Sequence, residues 1–173
     1  MSFPYFLYIG RISEEKGIAA LLAIFSNLPH LKLLVVGDGN MREMVMKEYS
    51  RFDNIIFKPF ANRSQIAAYY KNALAVIVPS VWYEVLPLVI LEAISYNKVL
   101  YVYRTKNSYK MFSGIKGISL FKEGELIPLL ENFKQGQQIT DYRMIKKTIA
   151  PEFHLENLLR IYKTVNHEKK QSR

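Results

Sequence analysis

Cysteine is absent from this 173-residue chain, so neither a disulfide nor a thiolate metal site can brace it. The three histidines, His30, His154 and His167, stand far apart without metal-ligand spacing and read as surface or locally bonded side chains. No apolar run approaches the ~20 residues that a helical membrane span requires. The opening MSFPYFLYIGR has neither the basic region nor the small-residue cleavage site of a secretory signal, so a cytoplasmic protein is expected. Glycine is sparse at eight residues. The segment VGDGN is too short for a dinucleotide fingerprint, and it closes the second apolar run instead of the first. Acid is also short: 15 Asp and Glu stand against 24 Lys and Arg, a net charge of +9.

That excess is unevenly spread. From Lys98 to Lys116 there are five basic residues and no acid, and the tail KTVNHEKKQSR adds four more against Glu168. Such a balance suits an anionic partner, either phosphate or an acidic membrane surface. It equally suits a solvated face with a frayed terminus. Zinc-finger spacing, an RNA-recognition signature and a basic heptad pattern are all missing, which argues against nucleic acid. Half of the residues are apolar, enough for one packed domain, expected over 1–166 with a disordered basic tail at 167–173.

Apolar runs bounded by turn signals alternate with segments of helical period. Strands are expected at 5–10, 31–37, 54–60, 74–80 and 98–103, with KGISLF as one more short strand. Helices are expected from Glu14, capped by Ser13, to about Phe25, then near 40–50, at 64–73 and around 86–96. EGELIPLLENF and the amphipathic FHLENLLRIYKTV (153–165) complete the helical set, while YRTKNSYKMFSGIKG lacks a period and reads as a loop. Several strands are unbroken apolar runs, the pattern of parallel strands covered on both faces. The class is therefore α/β: a doubly wound, Rossmann-like, mostly parallel sheet of five to six strands with helices on both faces. Ligands of such sheets bind beyond the strand carboxyl ends, where Arg11, Lys16, Asp38 and Glu84 fall.

Two of these placements carry chemistry. In GRISEEKG, Arg11 and Lys16 flank a helix amino-terminus, where free N–H groups and the dipole would help two cations hold a pyrophosphate. A plain pair of surface cations is the alternative. In YEVLPLVILEA, Glu84 and Glu92 bracket an apolar run; from a loop and a helix they can face one cleft, each accepting two hydrogen bonds from a vicinal diol. The alternative has Glu84 capping the helix and Glu92 merely exposed, although an unpaired carboxylate among apolar neighbours would be costly. Tyr109, Met111 and Phe112, set between lysines, either touch lipid headgroups or pack over the sheet edge or another domain.

Taken together, GRISEEKG, LLVVGDGNMREMV and AAYYKNALAVIVPSVWYEVLPLVILEA resemble the carboxyl-terminal, donor-binding half of a family 4 glycosyltransferase of the GT-B fold, and FHLENLLRIY resembles its closing helix. The two glutamates eight apart match the family's E-x7-E signature. The resemblance implies that Arg11 and Lys16 hold the donor diphosphate and, with Glu84, form the catalytic set. Glu84 would bind hydroxyls of the transferred sugar. Gly10, Phe60, Val85, Leu86, Pro87 and Leu88 would complete the donor site, and Glu92 would grip the ribose. The implied reaction is retaining transfer from a UDP- or GDP-sugar with no cofactor and no metal; no Asp-x-Asp occurs in the chain. Electrostatic stabilisation of the departing nucleotide would be the main catalytic lever.

Departures from the family pattern are Pro59 after the third strand, Pro87 within the glutamate motif, Asn97 and Val99 where Gly and Pro are typical, and TKNSYKMFSG in place of a glycine-rich turn. The resemblance also implies an acceptor-binding domain that this sequence does not include, so the chain is expected to be an excised fragment, a natural half working with another subunit, or a stand-alone binder. The alternative function is a catalytically inactive nucleotide-sugar binding or assembly domain. A dehydrogenase domain is disfavoured, because Arg11 stands where the glycine fingerprint would be.

Overall fold

The computed structural model describes residues 3–82, 87–136 and 140–149. Two compact units divide the chain, residues 1–140 and 141–173. The first holds a six-stranded sheet: β1 (Tyr5–Ile9), β2 (Leu33–Val36), β3 (Ile55–Lys58), β4 (Ala73–Val78), β5 (Val99–Tyr103) and β6 (Ile118–Phe121). All five pairings are parallel, in the order β3-β2-β1-β4-β5-β6. The chain winds outward from β1 to β3, returns to place β4 on the other side of β1, and winds outward again, which is the doubly wound arrangement expected. The sheet is wholly parallel.

Alternate strand residues serve two cores. Phe6, Tyr8, Leu33, Val35, Ala75, Ile77 and Tyr101 pack with Ile18, Leu21, Leu22 and Phe25 of α1 (Ile18–Ser26), Val45 of α2 (Arg42–Tyr49) and Leu126 and Leu130 of α6 (Leu126–Glu131). Leu7, Leu34, Val76 and Leu100 face the other way and are equally buried. That face is covered by α3 (Arg63–Asn72), α4 (Leu88–Ser95) and α5 (Lys106–Phe112). Burial on both sides explains why these strands lack hydrophobic–polar alternation.

Helix ends follow local chemistry. Asn62 and Gln65 form a reciprocal capping box at the start of α3 (3.0 and 3.1 Å). The Lys98 ammonium closes the other end by donating to the Lys71 and Ala73 carbonyls (2.7 and 2.9 Å). Asn97 ends α4 in the left-handed region, φ 53°, a conformation asparagine tolerates better than most residues and glycine adopts freely. This accounts for a tolerated asparagine where the family resemblance leads one to expect glycine.

Two expectations are corrected. The segment read as a loop after Tyr103 contains α5, opened by a capping box in which Ser108 N–H donates to Thr105 Oγ1 (3.0 Å) and Thr105 N–H to Ser108 Oγ (2.9 Å). At seven residues it is too short to show a hydrophobic period, and its cap is Thr-x-x-Ser instead of the Glu or Gln form. Nor is there one helix from Glu14 to Phe25: a 3-10 turn (Glu14–Lys16) precedes Gly17 at φ 68°, and α1 begins after it. Ser13 does not cap the turn; its hydroxyl donates to Glu15 Oε1 (2.7 Å).

The second unit is described only through Ile149, with α7 (Arg143–Ile149) preceded by a paired contact of Arg143 Nε and Nη2 with the Asp141 carboxylate, 3.0 Å each. The expected helix at 153–165 and the tail lie outside the described residues.

Candidate functional site

The order of the strands puts a switch point between β1 and β4, because the chain leaves them in opposite directions across the sheet. A crevice opens beyond the carboxyl ends of two such strands. Here the two strand-end segments are bound to each other. The Glu15 carbonyl accepts from Ser80 Oγ (3.3 Å) and Val81 N–H (3.2 Å), which follow β4. Gly17 makes this possible: a Cβ there would stand 2.2 Å from the Pro79 carbonyl oxygen. The β1 end is fixed on its other flank too, with Ile12 N–H donating to the Asp38 carbonyl (2.8 Å) and Met41 N–H to the Ile12 carbonyl (3.1 Å). Gly37 lies against Gly10 so closely that a Cβ would fall 1.9 Å from the Gly10 oxygen.

A cavity of about 100 Å³ results, lined by Gly10, Arg11, Lys16, Pro79, Ser80, Pro87 and Val89 with the ends of β1 and β4 as its floor. Two cations thus meet at one opening from positions five residues apart. An acid is present as well. Glu15 is held below the usual carboxylate range, first by the Ser13 hydroxyl and its own backbone N–H, then by Arg11 and Lys16. The cluster therefore carries a carboxylate whose charged form is favoured beside the two cations. Chemically it suits a strong dianion such as a diphosphate, which two cations hold against one neighbouring carboxylate.

The other expected site residues fall as follows. Pro87 is the N-cap residue of α4, and Leu88 in its first turn is 73% exposed. Phe60 lies beyond β3, 76% exposed and away from the cavity lining. Glu84, Val85 and Leu86 lie outside the described residues. Glu92 is exposed on α4, so the burial cost expected for it does not arise; it is also partnered, since Tyr70 Oη donates to its Oε2 at 2.7 Å. It does not line the cavity that Arg11 and Lys16 share. Among the described residues no three of His, Asp and Glu gather in a metal-binding group.

Sequence reasoning passed over Glu15, Ser80, Val89 and Tyr70. Only Glu15 had a local signal, its adjacency to Lys16. Tyr70 lies 22 residues from its carboxylate partner, and no spacing rule links one helix to the next in that way.

The family model "Glycosyl transferases group 1" matches residues 2–112. Among curated proteins, the chain is 32% identical over 95 residues to the uncharacterized glycosyltransferase MJ1607 of Methanocaldococcus jannaschii, covering 51% of this chain and 24% of that protein. It is 28% identical over 92 residues to the sulfoquinovosyl transferase SQD2 of Arabidopsis thaliana, covering 53% and 18%. Among solved structures, S. aureus TarM superposes with a TM-score of 0.73 at 15% identity, over 91% of this chain and 35% of that one; its G117R mutant was crystallised with fondaparinux, alpha-GlcNAc-glycerol and UDP. The match thus spans about a quarter or less of each curated relative. With the family match running through both strand-end segments and α4, on a parallel α/β sheet of the same fold, this chain belongs to the group 1 glycosyl transferases.

Proposed function

We propose that the chain is the donor-binding half of a retaining glycosyltransferase, moving a sugar from a UDP- or GDP-sugar to an acceptor carried by another domain or subunit. The observation that carries this reading is the common cavity of Gly10, Arg11, Lys16 and Pro87 at the β1/β4 switch point. In it, Arg11 and Lys16 hold the diphosphate and neutralise the charge that grows as the nucleotide leaves, a contribution of the preorganised electrostatic kind. Glu84 takes the sugar hydroxyls, Val85 to Leu88 line the sugar and phosphate side, Phe60 flanks the base and Glu92 takes the ribose. No metal or other cofactor is required in this scheme. The acceptor side belongs elsewhere, consistent with a match that covers 24% of the archaeal relative and 35% of TarM. Residues through about 166 make up the donor domain, acting in the cytoplasm; among the described residues no helix is long and apolar enough to cross a membrane. The basic Lys98–Lys116 stretch suits peripheral contact with an acidic membrane surface.

Calorimetric titration with UDP and GDP tests the proposal. One of them should bind, and Arg11→Ala or Lys16→Ala should each weaken it by roughly 1.5–3 kcal/mol, the range of hydrogen bonds to charged groups. Absence of binding by either nucleotide to folded protein refutes it.

One observation favours the inactive-binder alternative. The turn after β5 that the resemblance expects to be glycine-rich is instead a helix start whose first donors are used by Thr105 and Ser108. That reading predicts nucleotide affinity without turnover when an acceptor-binding partner is supplied, measured as release of UDP or GDP.

A further inference from the structure

Buried Tyr70 of α3 differs in its partner from two buried tyrosines of the sheet, Tyr5 and Tyr101. Tyr5 Oη donates to the Tyr69 carbonyl (3.0 Å) and Tyr101 Oη to the Leu129 carbonyl (3.1 Å), the usual way a buried hydroxyl is satisfied by nearby backbone. Tyr70, with no exposed surface, instead sends its hydroxyl from α3 to the carboxylate of Glu92 on α4. Its ring is held flat against Tyr96, centroids 5.3 Å apart and planes 8° from parallel. Tyr96 is the C-cap residue of α4, one turn beyond Glu92 on the same helix. Ring and hydroxyl are thus fixed together, and an exposed glutamate is tied at one oxygen to a rigid, buried donor. Burial, reinforced by Glu92, raises the Tyr70 pKa far above its ordinary value, so the hydroxyl keeps its proton throughout the working pH range.

A free glutamate on a helix surface samples several rotamers and would have to give them up when it bound a ligand. One already tied at Oε2 keeps Oε1 and the second Oε2 lone pair in a set direction, ready for two hydroxyl donors. We propose that Tyr70 is a positioning residue: its hydroxyl clamps Glu92 Oε2 so that the rest of the carboxylate is presented to the vicinal diol of a ribonucleoside diphosphate. This rests on the function proposed above, in which Glu92 takes the ribose.

The test compares UDP with 2′,3′-dideoxy-UDP, or the matching GDP pair if guanine is preferred, by calorimetry on the full chain and on Tyr70→Phe. The variant keeps the ring and its stacking. UDP should bind it roughly tenfold more weakly, the value of a hydrogen bond lost at a charged acceptor, while the dideoxy analogue should bind both proteins alike. In a Glu92→Ala background, adding Tyr70→Phe should change UDP affinity no further. Equal weakening for both nucleotides would make Tyr70 a packing residue and overturn the proposal, as would unchanged UDP affinity. Should Tyr70→Phe not fold, Glu92→Asp replaces it, keeping the charge but withdrawing the carboxylate from the hydroxyl. It must lose the same discrimination between the two nucleotides, and retained discrimination overturns the proposal. A native chain that binds neither UDP nor GDP defeats both proposals; native binding with an indifferent Tyr70→Phe defeats this one alone.

Discussion

Glu15 is the residue whose neighbourhood most changes the chemistry read from GRISEEKG. Its carboxyl stands beside Arg11 and Lys16 and is bonded by Ser13, so at neutral pH it opposes any anion those cations attract. Glu15→Gln should therefore tighten diphosphate binding by about twofold, the small effect expected of one solvent-exposed charge, measured by titration at low ionic strength. The advantage should shrink in high salt. The sign with pH follows from the depressed pKa: Glu15's ionised form is favoured in the folded protein, so its contribution is present above the ordinary carboxylate pKa of about 4.5 and disappears as pH falls through the lower folded value. Comparing the acid unfolding midpoints of native protein and Glu15→Gln reads that contribution directly, and the two curves should converge at the acid end.

At the scale of elements, the site depends on where helices begin and end. Gly17 separates the 3-10 turn from α1 with φ 68° and no room for a side chain against Pro79. Gly17→Ala should cost about 1–3 kcal/mol for the left-handed backbone alone, and the contact with Pro79 must push the β4 segment away. Chemical denaturation should show the loss, and nucleotide titration a weakened diphosphate site. Asn54 does a comparable job at the far end of α1. Buried, its Nδ2 reaches the carbonyls of Phe25, Leu28 and Leu31 at 2.8, 3.0 and 3.0 Å, fastening the end of the helix to the start of β3. Asn54→Ala leaves those buried acceptors short of a donor and should destabilise by about 1–3 kcal/mol in a denaturant titration. Neither role was marked in the sequence. A glycine inside an apparent helical segment and an asparagine before an apolar run look like ordinary turn residues, and their partners lie on other elements.

For the whole molecule, buried tyrosines set the alkaline limit. Burial pushes Tyr5 and Tyr101 up to about 12, and Tyr70 higher still. Each stays protonated in the fold while the unfolded chain ionises near pH 10, so the stability they protect is whole below pH 10 and is lost as pH rises through the folded values. Each tyrosine removes about 1.4 kcal/mol per pH unit in that window. Lys98, whose pKa burial lowers, works in the opposite sense as it sheds its proton, but one partly exposed lysine does not offset three tyrosines. Denaturant midpoints should therefore hold steady from pH 7 to 9 and fall steeply between 10 and 12.

The sequence by itself determined the architecture: unbroken apolar runs such as YFLYI, LLVV and ALAVIV, spaced by helical segments, leave a parallel sheet covered on both faces as the way to bury them. It also determined that Arg11 and Lys16 would stand at a strand end, because both lie within seven residues of Ile9 along the chain. Only the tertiary structure decided that the β4 segment closes on Glu15 and Gly17, and that Glu92 is held by Tyr70. Those facts depend on contacts between residues 22 to 66 positions apart, fixed by how the elements pack, and periodicity along one element carries no record of what another element brings alongside it.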